Sequence, residues 1–403
     1  MPNANFTPHN STEMFRKLKQ WIVDVYEVWK DEFRASISDI GVVLFFIILP
    51  LAYPILYTAI YDPEIVRDID VVVVDNCRTS DSRLFVRNAG AAENIHIIGY
   101  AASMDEARHL MAERQCYGII EIPENFARCI GRHEQAVVQF YSDATLLIRY
   151  RSFLTSLSDV TIQMGAELRQ RVVDSLGSLS DMAGGGEMPA ETKAVFLGNP
   201  QQGFASFVIQ AILIFIVQQS LILGVCMIAA GRRERFLRPS LAASGASSSA
   251  TVFGRMLLHA TFYLPVILYI FHFVPTIFNL PHADNLLQFI TFMIPMVIAT
   301  SMLGQVLQIF VKERETSLII IVFMSVVFLF LSGITWPRFA MQWYWKALGD
   351  MIPGVWAVEG FTLMNATGAD LGQVLKPYTM MWVLAAAYFL LALILQRRET
   401  RRT

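Results

Sequence analysis

Six apolar runs, each close to the ~20 residues that cross a ~30 Å hydrocarbon core, constrain this chain more than any other feature. They are Ile40–Tyr61, Phe204–Ala230, Met256–Phe278, Leu286–Val311, Leu318–Ile334 and Tyr378–Leu395. No water reaches the middle of a bilayer, so each run must satisfy its own backbone, which makes it a helix. The basic clusters lie between the runs, at Arg16–Arg34, Arg232–Arg238, Lys312–Arg314 and Arg397–Arg402. Short basic segments are retained on the cytoplasmic side, and six crossings place all four clusters on that one side. The expectation is an α-helical polytopic membrane protein of six transmembrane helices. It has an extracytoplasmic α/β domain between the first and second helices and re-entrant helices between the fifth and sixth. Both termini are expected in the cytoplasm.

In detail, residues 1–39 read as a cytoplasmic N-terminus, irregular to Thr12 and then an amphipathic interfacial helix. Phe15, Leu18, Ile22, Val25, Trp29 and Phe33 recur on it at helical spacing, the pattern of a helix lying in the membrane surface. The first span, residues 40–61, carries Pro50 and Pro54, whose freed carbonyls need partners on neighbouring helices. Residues 62–199 alternate β-branched runs with helical patterns. Strands are expected at Asp70–Val74, Ile95–Gly99, Tyr117–Ile122 and Ala136–Tyr141, forming a small, partly parallel sheet with covering helices. Ser103 and Glu106 make a capping box, Pro123 suits a first helical position, and a long helix runs from Ala144 to Leu179. Met182–Pro200 reads as a linker. Residues 200–403 hold the other five spans, with a basic cytoplasmic loop at 231–255 and an aromatic outer segment at 335–377 broken by Pro337, Pro353 and Gly354.

Only 16% of residues are charged, against about 25% in soluble domains, and the net charge of −2 gives no pull toward nucleic acid. Cys77, Cys116, Cys129 and Cys226 form no C-x-x-C pair. Cys226 reads as packing inside a span. The other three fall in the outer domain, where one disulfide is open but an odd count builds no disulfide framework. Roughly 35 polar residues precede the first span, too many for the n-region of a cleavable signal.

Catalytic motifs are missing: there is no G-x-x-x-x-G-K-[ST] and no H-E-x-x-H. Cys129 and His133 sit a helical turn apart, but a pair alone does not make a metal site. The informative polar residues lie inside the spans, at Gln210, Gln218, Gln219, His259, His272, Gln305 and Gln308. Amides and imidazoles avoid lipid, so these either bond between helices or line a wet path. Glu359 lies near the end of an outer helix, as a cap or beside an exit.

Four segments resemble the permeases of the type-2 ABC exporter family, and they do so in family order. They are WKDEFRASISDIGVVLFFIILPLAYPILY; the outer domain from IDVVVVDNCRTSDSRLFV to VVQFYSDAT; RRERFLRPSLAASGASSSATVFGRML; and SGITWPRFAMQWYWKALGDMIPGVWAVEGF. The outer domain is similar to the insert of the subgroup that works with membrane-fusion proteins. The third segment is similar to the family's Glu-Arg-Glu-x-Gly-Thr coupling segment through Glu234, with Arg232 at the first acid and Phe236-Leu237 in place of Gly-Thr. The fourth matches the outer signature through Ser332, Gly333, Pro337, Met341, Pro353 and Glu359-Gly360.

The resemblance implies an export permease, not itself an enzyme, in a bacterial inner membrane. It would pair with a second permease subunit, either a copy of itself or a paralogue, and with a cytosolic ATP-binding cassette protein that binds ATP and Mg. It also implies a periplasmic membrane-fusion protein as partner. Arg232, Arg233, Glu234, Arg235, Phe236, Leu237 and Arg238 would form the loop on which the cassette acts. The rival is a receptor whose outer domain binds a ligand and signals without transport.

Overall fold

The computed structural model describes residues 9–61, 67–132, 134–176, 204–234, 246–278, 280, 282 and 285–402. The chain divides into two compact units, Met1–Asp62 with Phe196–Thr403, and Pro63–Val195. The expected linker Met182–Pro200 and Arg235, Phe236, Leu237 and Arg238 lie outside the described residues, as does the side chain of Gln210.

The first unit opens with α1, His9–Ser38, which starts inside the stretch expected to be irregular. Its buried line is Val25, Val28, Glu32 and Ser36, while Phe15, Leu18, Ile22 and Tyr26 stay exposed. The apolar stripe read from sequence is therefore split: Val25 packs inward, while Phe15, Leu18 and Ile22 remain exposed. Asp39 caps the next helix by accepting from the Gly41 N–H at 3.0 Å. That helix, α2, spans Ile40–Ile60 and passes through a π-helical stretch at Val43–Ile48. Pro50 has no N–H to offer the carbonyl four residues back, at Phe46. The buried Tyr263 hydroxyl donates to that carbonyl instead, at 3.1 Å.

The second unit is an α/β sandwich. In chain order it runs β1 Ile69–Asp75, α3 Ser80–Gly90, β2 Ile95–Tyr100, α4 Met104–Ala112, β3 Gly118–Ile122, α5 Phe126–Gly131, β4 Gln139–Ser142 and α6 Leu147–Leu176. The strand order is β2-β1-β3-β4, parallel except for β4, which runs antiparallel to β3. Val71, Val73, Ile120 and Ile122 pack with Phe85 of α3 and with Phe153, Leu157 and Val160 of α6. Val72, Val74 and Ile119 pack with Ala107 of α4 on the other face. Burial on both faces is why β1 reads as an unbroken valine run.

Three local expectations shift. Ser103 accepts from the Glu106 N–H at 3.3 Å, but Glu106 returns to the Ala102 N–H at 2.7 Å, so the reciprocal box is not closed on Ser103. Pro123 precedes α5 rather than starting it; its carbonyl accepts from Phe126. The cysteines are all free thiols, with Cys116 buried and its thiol pushed up by that burial.

The first unit resumes with α7 Phe204–Glu234, α8 Ser248–Ile277, α9 Leu286–Leu307, α10 Arg314–Leu331, α11 Trp343–Asp350, α12 Pro353–Thr367 and α13 Leu375–Arg402. Among the described residues, α2, α7, α8, α9, α10 and α13 are the six helices long and apolar enough to cross a membrane. The most apolar window of α7 is 83% buried, against 22% for α2 and α10 and 17% for α13, so α7 is the hub and those three are peripheral. Two boundaries differ from the loop expected at 231–255. Residues Gly231–Glu234 continue α7, and α8 begins at Ser248, where Ser247 accepts from the Ala250 N–H at 3.2 Å. Arg255 therefore sits on a helix. Its neighbour Gly254 meets α1 so closely that a Cβ there would lie 2.8 Å from the Val25 carbonyl.

Candidate functional site

The last turn of α7 spreads three charged side chains to three different neighbours. Arg232 donates to Glu32 of α1 at 2.5 Å, and the same carboxylate lies 3.5 Å from the Arg255 guanidinium of α8. The Glu32 side chain is 3% exposed, that of Arg255 7% and that of Arg232 16%. Burial opposes the charged form of Glu32, but Arg232 and Arg255 outweigh it and hold its carboxyl below the usual range. Arg233 donates to the Gln308 carbonyl at 2.7 Å and to that of Val311, closing the C-terminal end of α9, and reaches Glu399 of α13 at 3.2 Å. Glu234 accepts from the Arg314 N–H at 2.9 Å and pairs with its guanidinium at 3.0 Å. Arg314 also holds the capping Asp39 at 2.6 Å.

One helix end thus bonds to α1, α10, α13 and the turn after α9, and is linked to α8 through the shared Glu32. The i, i+1, i+2 spacing makes this possible, because consecutive residues point roughly 100° apart around a helix. A displacement of residues 231–234 must be felt by all of those elements.

Higher in the bundle, the polar residues bond between helices. Gln218 accepts from the Gly354 N–H at 2.6 Å, fixing the start of α12. His259 and Ser301 share a hydrogen bond at 2.7 Å, and Gln305 donates to the Val252 carbonyl at 3.2 Å. Gln219 is half-buried, and its amide makes no hydrogen bond among the described residues.

A second charged cluster follows α10. Pro337 leads a short turn, Arg338–Ala340, and Pro353 starts α12. Arg338 donates to Glu359 at 2.8 Å and to Asp350, and lies 5.0 Å over the Trp356 ring. Glu359 is therefore an ion-pair partner within this segment and not a helix cap.

Sequence reading missed Glu32, Asp39, Arg255, Gln396 and Glu399 as members of the first cluster. For Glu32 a signal existed: it continues the helical spacing Val25, Val28, Glu32, which is the buried line. The others are brought in by long-range packing, for which one sequence holds no local sign.

No curated protein matches the chain. A family model described as ABC-2 family transporter protein matches residues 40–394, from the first apolar helix to near the end of the last. A match over most of the chain, on a body of six membrane-length helices, places the protein in the ABC-2 transporter family as a multi-pass permease subunit that associates with an ATP-binding cassette protein.

Proposed function

We propose that this permease carries an amphiphilic or lipid-like small molecule, drugs included, out of the cytoplasm or the inner leaflet of a bacterial inner membrane. The observation that carries this reading is the convergence of α1, α8, α10 and α13 on the last turn of α7. A cassette protein bearing on residues 231–234 and the loop beyond them moves a hub that is already tied to its neighbours. ATP and Mg belong to that partner, since this chain has no P-loop. Two permease subunits, identical or paralogous, enclose the path. The insert at 62–199 faces outward, where a membrane-fusion protein engages it, and α11 and α12 dip into the outer leaflet. Gln219, with an amide that bonds to nothing described, is the strongest candidate among the span residues to meet cargo.

Reversing charge at Glu234 together with Arg235 is expected to leave the protein in the membrane and cassette ATP hydrolysis running, with transport lost. Full transport by that variant, measured in inside-out vesicles, would remove the coupling role from this helix end. The reading also expects the chain to co-purify with its cassette protein after mild extraction. A ligand-driven conformational change in the isolated chain, with no cassette bound at any stage, would favour a sensor instead.

A further inference from the structure

The charged end of the bundle encloses a cleft of about 60 Å³, lined by Arg232, Arg233, Arg255, Ala229, Gln396 and Glu399. Three guanidinium groups meet there. Glu32 is shared by Arg232 and Arg255, and Glu399 pairs with Arg233. Among the described residues of these pairs, two carboxylates face three guanidinium groups. The Arg255 side chain is 7% exposed; it donates to Gln396 Oε1 at 3.4 Å, and its Nε is ion-paired with Glu32 at 3.5 Å, beyond good hydrogen-bond length. A guanidinium this deeply buried is costly unless nearby negative charge offsets it.

The cleft has room for about four to six water molecules at ~10–15 Å³ each, enough to admit one small oxyanion. Its depth also fits. It lies where the apolar windows of α7, α9 and α13 give way to charge, the level of lipid headgroups in a bilayer. The negative ends of helix dipoles there do not oppose an anion fully, because Arg233 already covers the Gln308 and Val311 carbonyls.

We propose that this cleft binds a single phosphate-type oxyanion, supplied by the headgroup of an anionic phospholipid or by free phosphate. The guanidinium forks of Arg232, Arg233 and Arg255 suit its oxygens, and Glu399 excludes a second anion. The inference is independent of what the permease transports and in which direction.

The test uses the full chain in detergent, with two variants. Arg233→Gln removes one cation, and Ala229→Leu fills the cleft without changing its charge. Native mass spectrometry compares retention of phosphatidylglycerol with phosphatidylcholine, and a thermal-shift series compares inorganic phosphate with chloride at equal ionic strength. Wild-type protein is expected to prefer one phosphate source over its control. Arg233→Gln is expected to bind it about tenfold more weakly, the effect of one charge-assisted hydrogen bond, and Ala229→Leu to bind it at least as poorly because the space is filled. Preference for phosphatidylglycerol alone identifies a headgroup site; stabilisation by inorganic phosphate alone identifies a soluble anion. Equal binding by wild type and Ala229→Leu overturns the proposal. So does an absence of preference for either phosphate source in the wild type; if Ala229→Leu then weakens cassette co-purification, the cleft is the seat of a partner side chain.

Discussion

The two charged clusters of the bundle sit at opposite ends of α10, about 27 Å apart by helix rise for its 18 residues, and they are built on different principles. The cluster around Arg338 is local: Asp350, Trp356 and Glu359 all lie within 21 residues of it. Its acids are about one-third exposed, so water shares the work of stabilising them. The cluster around Arg232 is assembled across up to 200 residues of chain, and its carboxylate is almost sealed from solvent. A local, wet ion pair shapes one turn. A remote, dry one ties separate helices into a single responding unit, at the risk of a buried charge if any member is lost.

That contrast can be broken most sharply at Glu32. Glu32→Ala leaves Arg232 and Arg255 buried without their counter-ion and is expected to cost about 3–5 kcal/mol, seen as a large fall in detergent melting temperature or in membrane accumulation. A loss as small as that of an exposed pair would show that water enters this cluster. The pH dependence sharpens the same point. The folded carboxyl titrates below its ordinary 4.5, so its contribution is fully present above that value and is lost as pH falls through the lower folded value. Melting curves should be insensitive to this group at neutral pH and should lose its contribution only under acid conditions, a step missing in Glu32→Gln.

Next in size is the seam between α1 and α8. Gly254→Leu would force its side chain against the Val25 carbonyl and Val28, at a cost of about 1–3 kcal/mol, with α1 becoming open to proteolysis first. Arg338→Ala, in the wet cluster, should cost only about 1–2 kcal/mol, because Asp350 and Glu359 remain hydrated while the Trp356 contact is lost. Smallest is Lys17→Ala. Its pair with Glu13 spans 3.9 Å at high exposure, and a change beyond about 0.5 kcal/mol would be unexpected.

The six spans and the strand–helix alternation of the insert were legible because each rests on a repeat within a few turns of chain. Apolar run length marks a span, and β-branched runs between turn residues mark a strand. The missing backbone donor at Pro50 was legible too, but the bond from Tyr263, more than 200 residues away, that meets the freed Phe46 carbonyl was not. The role of Glu359 depended on what stood opposite it, and its partner Arg338, 21 residues earlier, is brought there only by the packing of the turn against α12.

Hydrophobic patterning alone determined that this chain is a membrane-embedded helical body with an inserted sheet, since transfer of apolar surface is additive along the chain. Tertiary structure decided that Arg232, Arg233 and Glu234 each hold a different part of the bundle, that Glu32 is the buried counter-ion, and that the cationic cleft exists. Pairing in a desolvated interior depends on distance and orientation between residues far apart in sequence, and those are fixed only once the helices have packed.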